Sequence, residues 1–310
     1  MDGMMDTFRP ISTQTTSQRT LKSSITCVGT ALHTGTRVRL TLLPAPAGSG
    51  IVFRRADLGI DIPARFDAVS DTRLCTQLAA PGHPEARVCT VEHLMAALAA
   101  SGVDNVIAAV DGPEVPVFDG SAEPFLFLID CAGTTAQAAP RRVIDVLRTV
   151  RVESGAAYAE LRPGAGALDL AVSIDFPARI IGRQALTLRA DEHAIRAELA
   201  AARTFAMRQE IEAMQAAGLA LGGSLKNAIV VDGDTVMNPE GLRFADEFVR
   251  HKMLDAIGDL FLAGTLNARF VAHRTGHALN NRLLRALFSD ANAWRFAEDS
   301  TRYAMTAQAA

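Results

Sequence analysis

One plan is written twice along this chain, and it restricts the fold more than any other feature. "VRLTLLPAPAGSGIVFRR" (residues 38–55) reads as strand, Pro/Gly/Ser turn, strand. "AYAELRPGAGALDLAVSID" (157–175) repeats that order around a Pro-Gly turn. Each half then carries helical segments. "TVEHLMAALAASG" (90–102) opens on Thr90, which we read as its N-cap, and stops at Gly102. "EFVRHKMLDAIGDLFLAG" (247–264) stops at Gly264, and "NNRLLRALFSDANAW" (280–294) is a further helix. The expectation is an α+β protein of two similar domains, residues 19–133 and 142–299. "CAGTTAQAAP" (131–140) has linker composition, residues 1–18 form a disordered N-terminal extension, and 300–310 a loose C-terminal tail. A site between two such halves would draw residues from helices of both.

Bulk properties narrow the function classes. Apolar residues make up 49% and charged residues 21% of the 310, the balance of a soluble globular protein. A net charge of −3 gives no general attraction to nucleic acid or an anionic membrane, so neither is expected as a partner. The opening "MDGMMDTFRP" lacks the apolar core of a signal peptide, and no transmembrane segment of ~20 apolar residues occurs. Cys27, Cys75, Cys89 and Cys131 lack C-x-x-C spacing and read as free cytosolic thiols.

"FVRHKMLDAIGDL" (248–260) places His251, Asp255 and Asp259 four apart, with Lys252 at the edge of their stripe. At about 100° per residue these share one helix face, while Met253, Leu254, Ile257, Leu260 and Phe261 lie on the other. An ordinary solvated face mixes Lys, Glu, Gln and Arg. Taken alone, His251 and Asp255 are an i,i+4 pair worth about 0.3 kcal/mol. In the first half, Glu92 and His93 stand side by side in an apolar helix. Alone, they read as a helix-start acid and a satisfied core histidine. Together, His93, His251 and Asp255 make a two-imidazole, one-carboxylate set, the three-ligand pattern of catalytic zinc. Glu92 would then be a general base for an attacking water. The same donors also suit Fe2+. His277, in "HRTGHALNNRLL", lies just before a helix. It is either an ordinary helix-start residue or a cleft-facing one held protonated by the spare carboxylate Asp259.

Six segments in order, "TVEHLMAALAASGVDN", "PVFDGSAEPF", "ARTF", "LGGSLKNAIVV", "GLRFADEFVRHKMLDAIGDL" and "GHALNNRLLRAL", resemble the UDP-3-O-acyl-N-acetylglucosamine deacetylase family. The resemblance runs from about Gln18 to Trp294. It implies two domains, each a β-sheet with two helices, packed as a layered sandwich with a small insert in each domain. It implies zinc-dependent removal of the acetyl group from a UDP-linked acylated amino sugar, in lipid A biosynthesis of Gram-negative bacteria. Carried over residue by residue, it makes His93, His251 and Asp255 the metal ligands and Glu92 the base. His277 assists the departing amine, and Asp259 orients His277. The Thr204 hydroxyl faces the oxyanion, while Phe205 and Lys252 lie at the substrate site. Arg148 and Arg274 stand where the family pattern has nucleotide-binding lysines, and "GTALHTG" keeps His33 and Gly35 of the pattern "GVGLHSG". "MRQEIEAMQAAGLALGGS" reads first as core packing. The resemblance turns it into an acyl passage lined by Ile211, Met214, Leu219 and Leu221. A cytoplasmic monomer is expected. The competing readings are a zinc amidase for another acylated amine and a catalytically silent zinc or nucleotide-sugar binding module. The latter would have no use for an acid–base pair such as Glu92 and His277.

Overall fold

The computed structural model describes residues 17–297, so the expected extension before Ser17 and the expected tail lie outside the described residues. Two main sheets form the outer layers. The first has five strands in the order Ile25–Thr30, Arg37–Pro44, Val106–Val110, Ile51–Arg55, Ile60–Pro63. Its strands alternate: Val38, Leu40 and Leu42 point inward between exposed or half-buried neighbours, the period of a sheet with one covered face. The second is seven-stranded and is built around Thr265–His273. That strand lies antiparallel to Ala157–Pro163 and parallel to Leu168–Asp175. All strands of the first sheet come from residues 25–110 and all of the second from 143–296.

Among the described residues six helices accompany the sheets. They are α1 (Glu92–Ala99), α2 (Glu123–Ala132), α3 (Glu192–Ala194, continued by a π turn), α4 (Arg208–Ala216), α5 (Glu247–Leu260) and α6 (His277–Phe288). Of these, α1, α2, α5 and α6 carry the buried faces. In the first sheet Val106–Val110 is parallel to Ile51–Arg55, and α1 lies in the crossover between them. It packs on α5, which packs in turn on α6, giving the layered α+β sandwich. Gly258 makes the central contact close. A Cβ there would sit 2.1 Å from the carbonyl oxygen of Glu92, so only glycine lets the α5 backbone rest on the first turn of α1.

Each half carries an insert. Val69–Asp71, Gln77–Ala80 and His83–Val88 make a small sheet in the first. Phe205–Met207, Ile229–Asp232 and Thr235–Val236, with α4, make one in the second.

Two expectations change. Residues 134–140 of the expected linker form a strand paired antiparallel with Ser17–Leu21, so Ser17 and Gln18 belong to the fold and not to an extension. An edge partner more than 100 residues away in the chain supplies the hydrogen bonds that the composition did not announce. Thr90 does not cap α1: the capping position is Val91, without a side-chain cap, and Thr90 has φ of 59°. In α5 all residues except Arg250 and Lys252 are buried, because its polar stripe faces α1 and its apolar side faces the second sheet.

Candidate metal centre and its acid–base neighbours

The α1–α5 contact brings the two polar sets together. His93 Nε2 lies 3.5 Å from Asp255 Oδ1, and His251 Nε2 lies 3.2 Å from the same oxygen. One ligand atom from each of His93, His251 and Asp255 falls within 4.8 Å of the others, and all three residues are buried. Asp255 Oδ1 has no hydrogen-bond partner, although it is fully enclosed. An orphaned carboxylate oxygen between two imidazole nitrogens costs free energy unless a cation fills the gap, so the donor set fits a divalent metal. His251 is oriented for that purpose. Its Nδ1 donates to the carbonyl oxygen of Ala202 at 3.0 Å, which leaves Nε2 free for a metal. Burial pushes the His251 pKa down to about 4 against the pull of Asp255, so this ring is a neutral, ligand-competent imidazole at neutral pH. Burial opposes ionisation of Asp255, but His251 and Lys252 outweigh it and hold the carboxyl well below the usual range.

Two proton-handling groups flank the cluster. Glu92 Oε2 accepts from the Thr76 backbone N–H at 3.0 Å, and its Oε1 lies 3.8 Å from His277 Nε2. Burial raises the Glu92 pKa, with His277 and His93 opposing. His277 is pushed the other way. Burial alone would lower its pKa, but the charges of Asp259 and Glu92 and a 2.9 Å hydrogen bond from Nδ1 to Asp259 Oδ2 raise it to about 10. A buried carboxylate shifted up and an imidazole shifted up, facing each other, make a matched base and acid.

Supporting groups complete the arrangement. Asp259 also accepts from Thr76 Oγ1 (2.5 Å) and Asn280 Nδ2 (2.8 Å). Thr76 thus ties Glu92 to Asp259 through one residue. Neither Thr76 nor Asn280 stood out in the sequence. Asn280 offers a weak signal, its i,i+3 spacing from His277, whereas the Thr76 loop offers none. Lys252 Nζ lies 2.9 Å from Asp255 Oδ2 and 5.4 Å above the Phe205 ring. Burial opposes its charge, but Asp255 overrides this and holds the ammonium above the ordinary lysine value. Phe205 packs edge-on to Phe248 and faces His251, with ring centres 5.0 and 6.4 Å apart.

Thr204 is two residues beyond the Ala202 carbonyl that holds His251. Its backbone is fixed by the Gly120 carbonyl and by the Ile229 N–H, at 2.8 Å each. The preceding residue, Arg203, is buried and pairs with the buried Glu247 at the start of α5 (2.9 Å), which locks this segment to the helix.

The remaining candidates are placed at other distances. Arg274 is exposed, three residues before His277, with φ of 52° and its N–H bonded to the Ser173 carbonyl. Arg148 is not brought to the cluster. It pairs with Asp290 beyond the C-terminal end of α6, while His277 opens the same helix about 18 Å away. Ile211 and Met214 are half-buried on α4. Leu219 and Leu221 are exposed at the turn after it, where the Leu221 and Gly222 N–H groups bond to the carbonyls of His33 and Leu32.

Comparison with known proteins gives a single answer. The family model of LpxC, UDP-3-O-acyl N-acetylglycosamine deacetylase, matches residues 18–289. A protein named UDP-3-O-acyl-N-acetylglucosamine deacetylase from Idiomarina loihiensis is 47% identical over 283 residues, 90% of this chain and 92% of its own. Its namesake from Actinobacillus succinogenes is 49% identical over 284 residues, with the same coverage. That of Shewanella frigidimarina is 44% identical over 281 residues, 89% of this chain and 91% of its own.

Proposed function

Since this chain belongs to the UDP-3-O-acyl-N-acetylglycosamine deacetylase family, we propose that it hydrolyses the acetamide of UDP-3-O-(3-hydroxyacyl)-N-acetylglucosamine to acetate and the free amine, in lipid A biosynthesis. The observation that carries the reading is the pairing of a three-donor metal cluster with an acid and a base on its border. His93, His251 and Asp255 would hold the metal, with Zn2+ as the expected ion and Fe2+ the alternative for a two-nitrogen, one-oxygen set. The metal, when bound, supplies Lewis acidity toward water and the acetamide carbonyl.

The other steps belong to side chains. Glu92, with its pKa raised, takes the proton of the attacking water; a buried carboxyl tuned upward is a stronger base than a solvated one. The Thr204 hydroxyl and the Lys252 ammonium face the developing negative charge. His277 enters the reaction protonated, held so by Asp259, and delivers its Nε2 proton to the leaving amine. An amide nitrogen leaves poorly without that proton, so the site needs both groups. Phe205 borders the sugar, Arg274, three residues before His277, is the cation offered to the diphosphate, and the insert with Ile211, Met214, Leu219 and Leu221 guides the acyl chain.

The cluster is complete within one chain. No helix of the described residues is long and apolar enough to cross a membrane, and the four cysteines are free. A nucleotide-linked substrate places the reaction in the cytoplasm. The test is acetate release from the UDP-sugar compared with plain N-acetylglucosamine. Turnover of the UDP-sugar alone supports the reading. Equal turnover of both, or of neither, refutes it.

A further inference from the structure

Thr90, two residues before Glu92, is a β-branched residue whose backbone works against its side chain. With φ of 59° it sits in the left-handed region, where a β-branched residue is strained. Two residues later the chain presents Glu92, and then His93. No side chain caps α1, so the helix start is fixed by what holds Thr90 and by a 3.4 Å bond from the Val91 N–H to the Thr76 carbonyl.

What holds Thr90 is Glu114. This carboxylate is buried, and each of its bonds runs to a neutral donor. Oε1 accepts from Thr90 Oγ1 at 3.0 Å and from the His33 N–H at 3.0 Å. Oε2 accepts from the N–H groups of His33 (3.1 Å) and Thr34 (3.2 Å). The backbone clamps the same junction: the Cys89 N–H bonds to the Pro113 carbonyl, and the Val115 N–H to the Cys89 carbonyl. Glu114 therefore runs alongside the residue before Thr90 and reaches across to its hydroxyl. A buried carboxylate without a cationic partner is expensive. Strained backbone persists only where its surroundings over-determine it. The two features explain each other.

We propose that Glu114 is a positioning residue: by gripping the Thr90 hydroxyl it keeps the chain in the left-handed turn that sets how Glu92 and His93 enter the site. The inference rests on the roles given above to those two residues. Glu114 itself touches neither substrate nor metal. It acts through the geometry of α1, and a glycine at position 90 would take up the same turn without being held.

The test uses the full chain, loaded with Co2+, in four forms: Glu114→Ala, Thr90→Val, Thr90→Gly and Glu114→Ala/Thr90→Gly. Each is read by kcat, KM and the visible absorption of the bound Co2+, which responds to the His93 ring. Glu114→Ala and Thr90→Val are expected to lose about tenfold or more in kcat, with KM within about twofold and an altered Co2+ spectrum. Thr90→Gly is expected to stay within about threefold of wild type, and the double variant to regain at least about fivefold over Glu114→Ala with a restored spectrum. The proposal is overturned if the double variant recovers nothing. It is equally overturned if Thr90→Gly is as impaired as Thr90→Val, because Glu114 would then only brace the His33 loop. Should Glu114→Ala fail to fold, the comparison of Thr90→Gly with Thr90→Val decides alone. A wild type that binds Co2+ but turns over no UDP-sugar would refute the proposed reaction, while the spectral comparison still judges the positioning role.

Discussion

Replacing Asp259 with asparagine removes one charge from beside His277 and almost no volume. The asparagine oxygen can still accept the Nδ1–H bond, so the ring stays in place while its electrostatic support is lost. The 2.9 Å contact sets the scale: at an effective dielectric of about 20, opposite charges at that distance attract by about 6 kcal/mol. At about 1.4 kcal/mol per pH unit, this corresponds to about four units in the His277 pKa. A bound divalent cation opposes part of the field, so the expected displacement is at least about two units. In the wild type His277 is held up at about 10 against an ordinary 6.5, and activity that needs the imidazolium falls only as pH rises through that region. In Asp259→Asn the basic limb of the kcat/KM profile should move down to near neutral pH. The assay is initial-rate acetate release from the UDP-sugar across about pH 5 to 10.5, with metal content checked at each end. A basic limb that stays in place would refute the assignment of His277 as the acid and make Lys252 the first suspect. The same shift has a stability side. Because the folded value is raised, the ion pair's contribution is complete below about pH 6.5 and is lost as pH rises through about 10.

Other outcomes follow from the same geometry. His93→Ala, His251→Ala and Asp255→Ala should each lose the metal, whereas Glu92→Ala should keep it and lose about 10²–10⁴-fold in turnover; full metal occupancy in His251→Ala, by elemental analysis, would remove it from the ligand set. Arg203→Ala leaves the buried Glu247 unpaired and should cost about 3–5 kcal/mol in urea unfolding; a loss below about 1 kcal/mol would show that the pair does not hold the Thr204 segment to α5. Replacing Leu221 or Met214 with tryptophan should shorten the preferred acyl chain by discriminating about tenfold per two methylenes at about 0.8 kcal/mol each; an equal fall for every chain length would take that residue out of the passage.

The two halves and the helix stripe were legible because both are local patterns. Alternating strands around Pro/Gly turns and an i,i+4 run of His251, Asp255 and Asp259 announce themselves within a few residues. What the stripe faces was not legible. Its partner helix lies more than 150 positions earlier in the chain, and only the residue types of Glu92 and His93 hinted at it. Pairing of residues 134–140 with Ser17–Leu21 left no mark for the same reason: strand partnership is non-local, and an Ala/Thr/Gln run looks like linker until an edge is supplied. Thr90 misled in a more instructive way. A threonine before an apolar helix is an N-cap by composition, yet its hydroxyl goes to Glu114, and no propensity scale reveals a buried acceptor 24 positions later. Gly258 was similarly silent, since its value lies in the close approach of another helix, where an added Cβ would come within 2.1 Å of the Glu92 carbonyl oxygen. Arg148 shows the limit of matching charge by position: the side chain is cationic, but its fold position pairs it with Asp290 at the far end of α6.

Stoichiometric metal titration of the metal-free protein tests the central claim most directly. Zn2+ is added in sub-equivalent steps while acetate release from the UDP-sugar is followed. Turnover should start near zero, rise linearly, and break at one equivalent per chain, as a single cluster of His93, His251 and Asp255 requires. Full turnover by the metal-free chain, or a rise with no break at one equivalent, would contradict it.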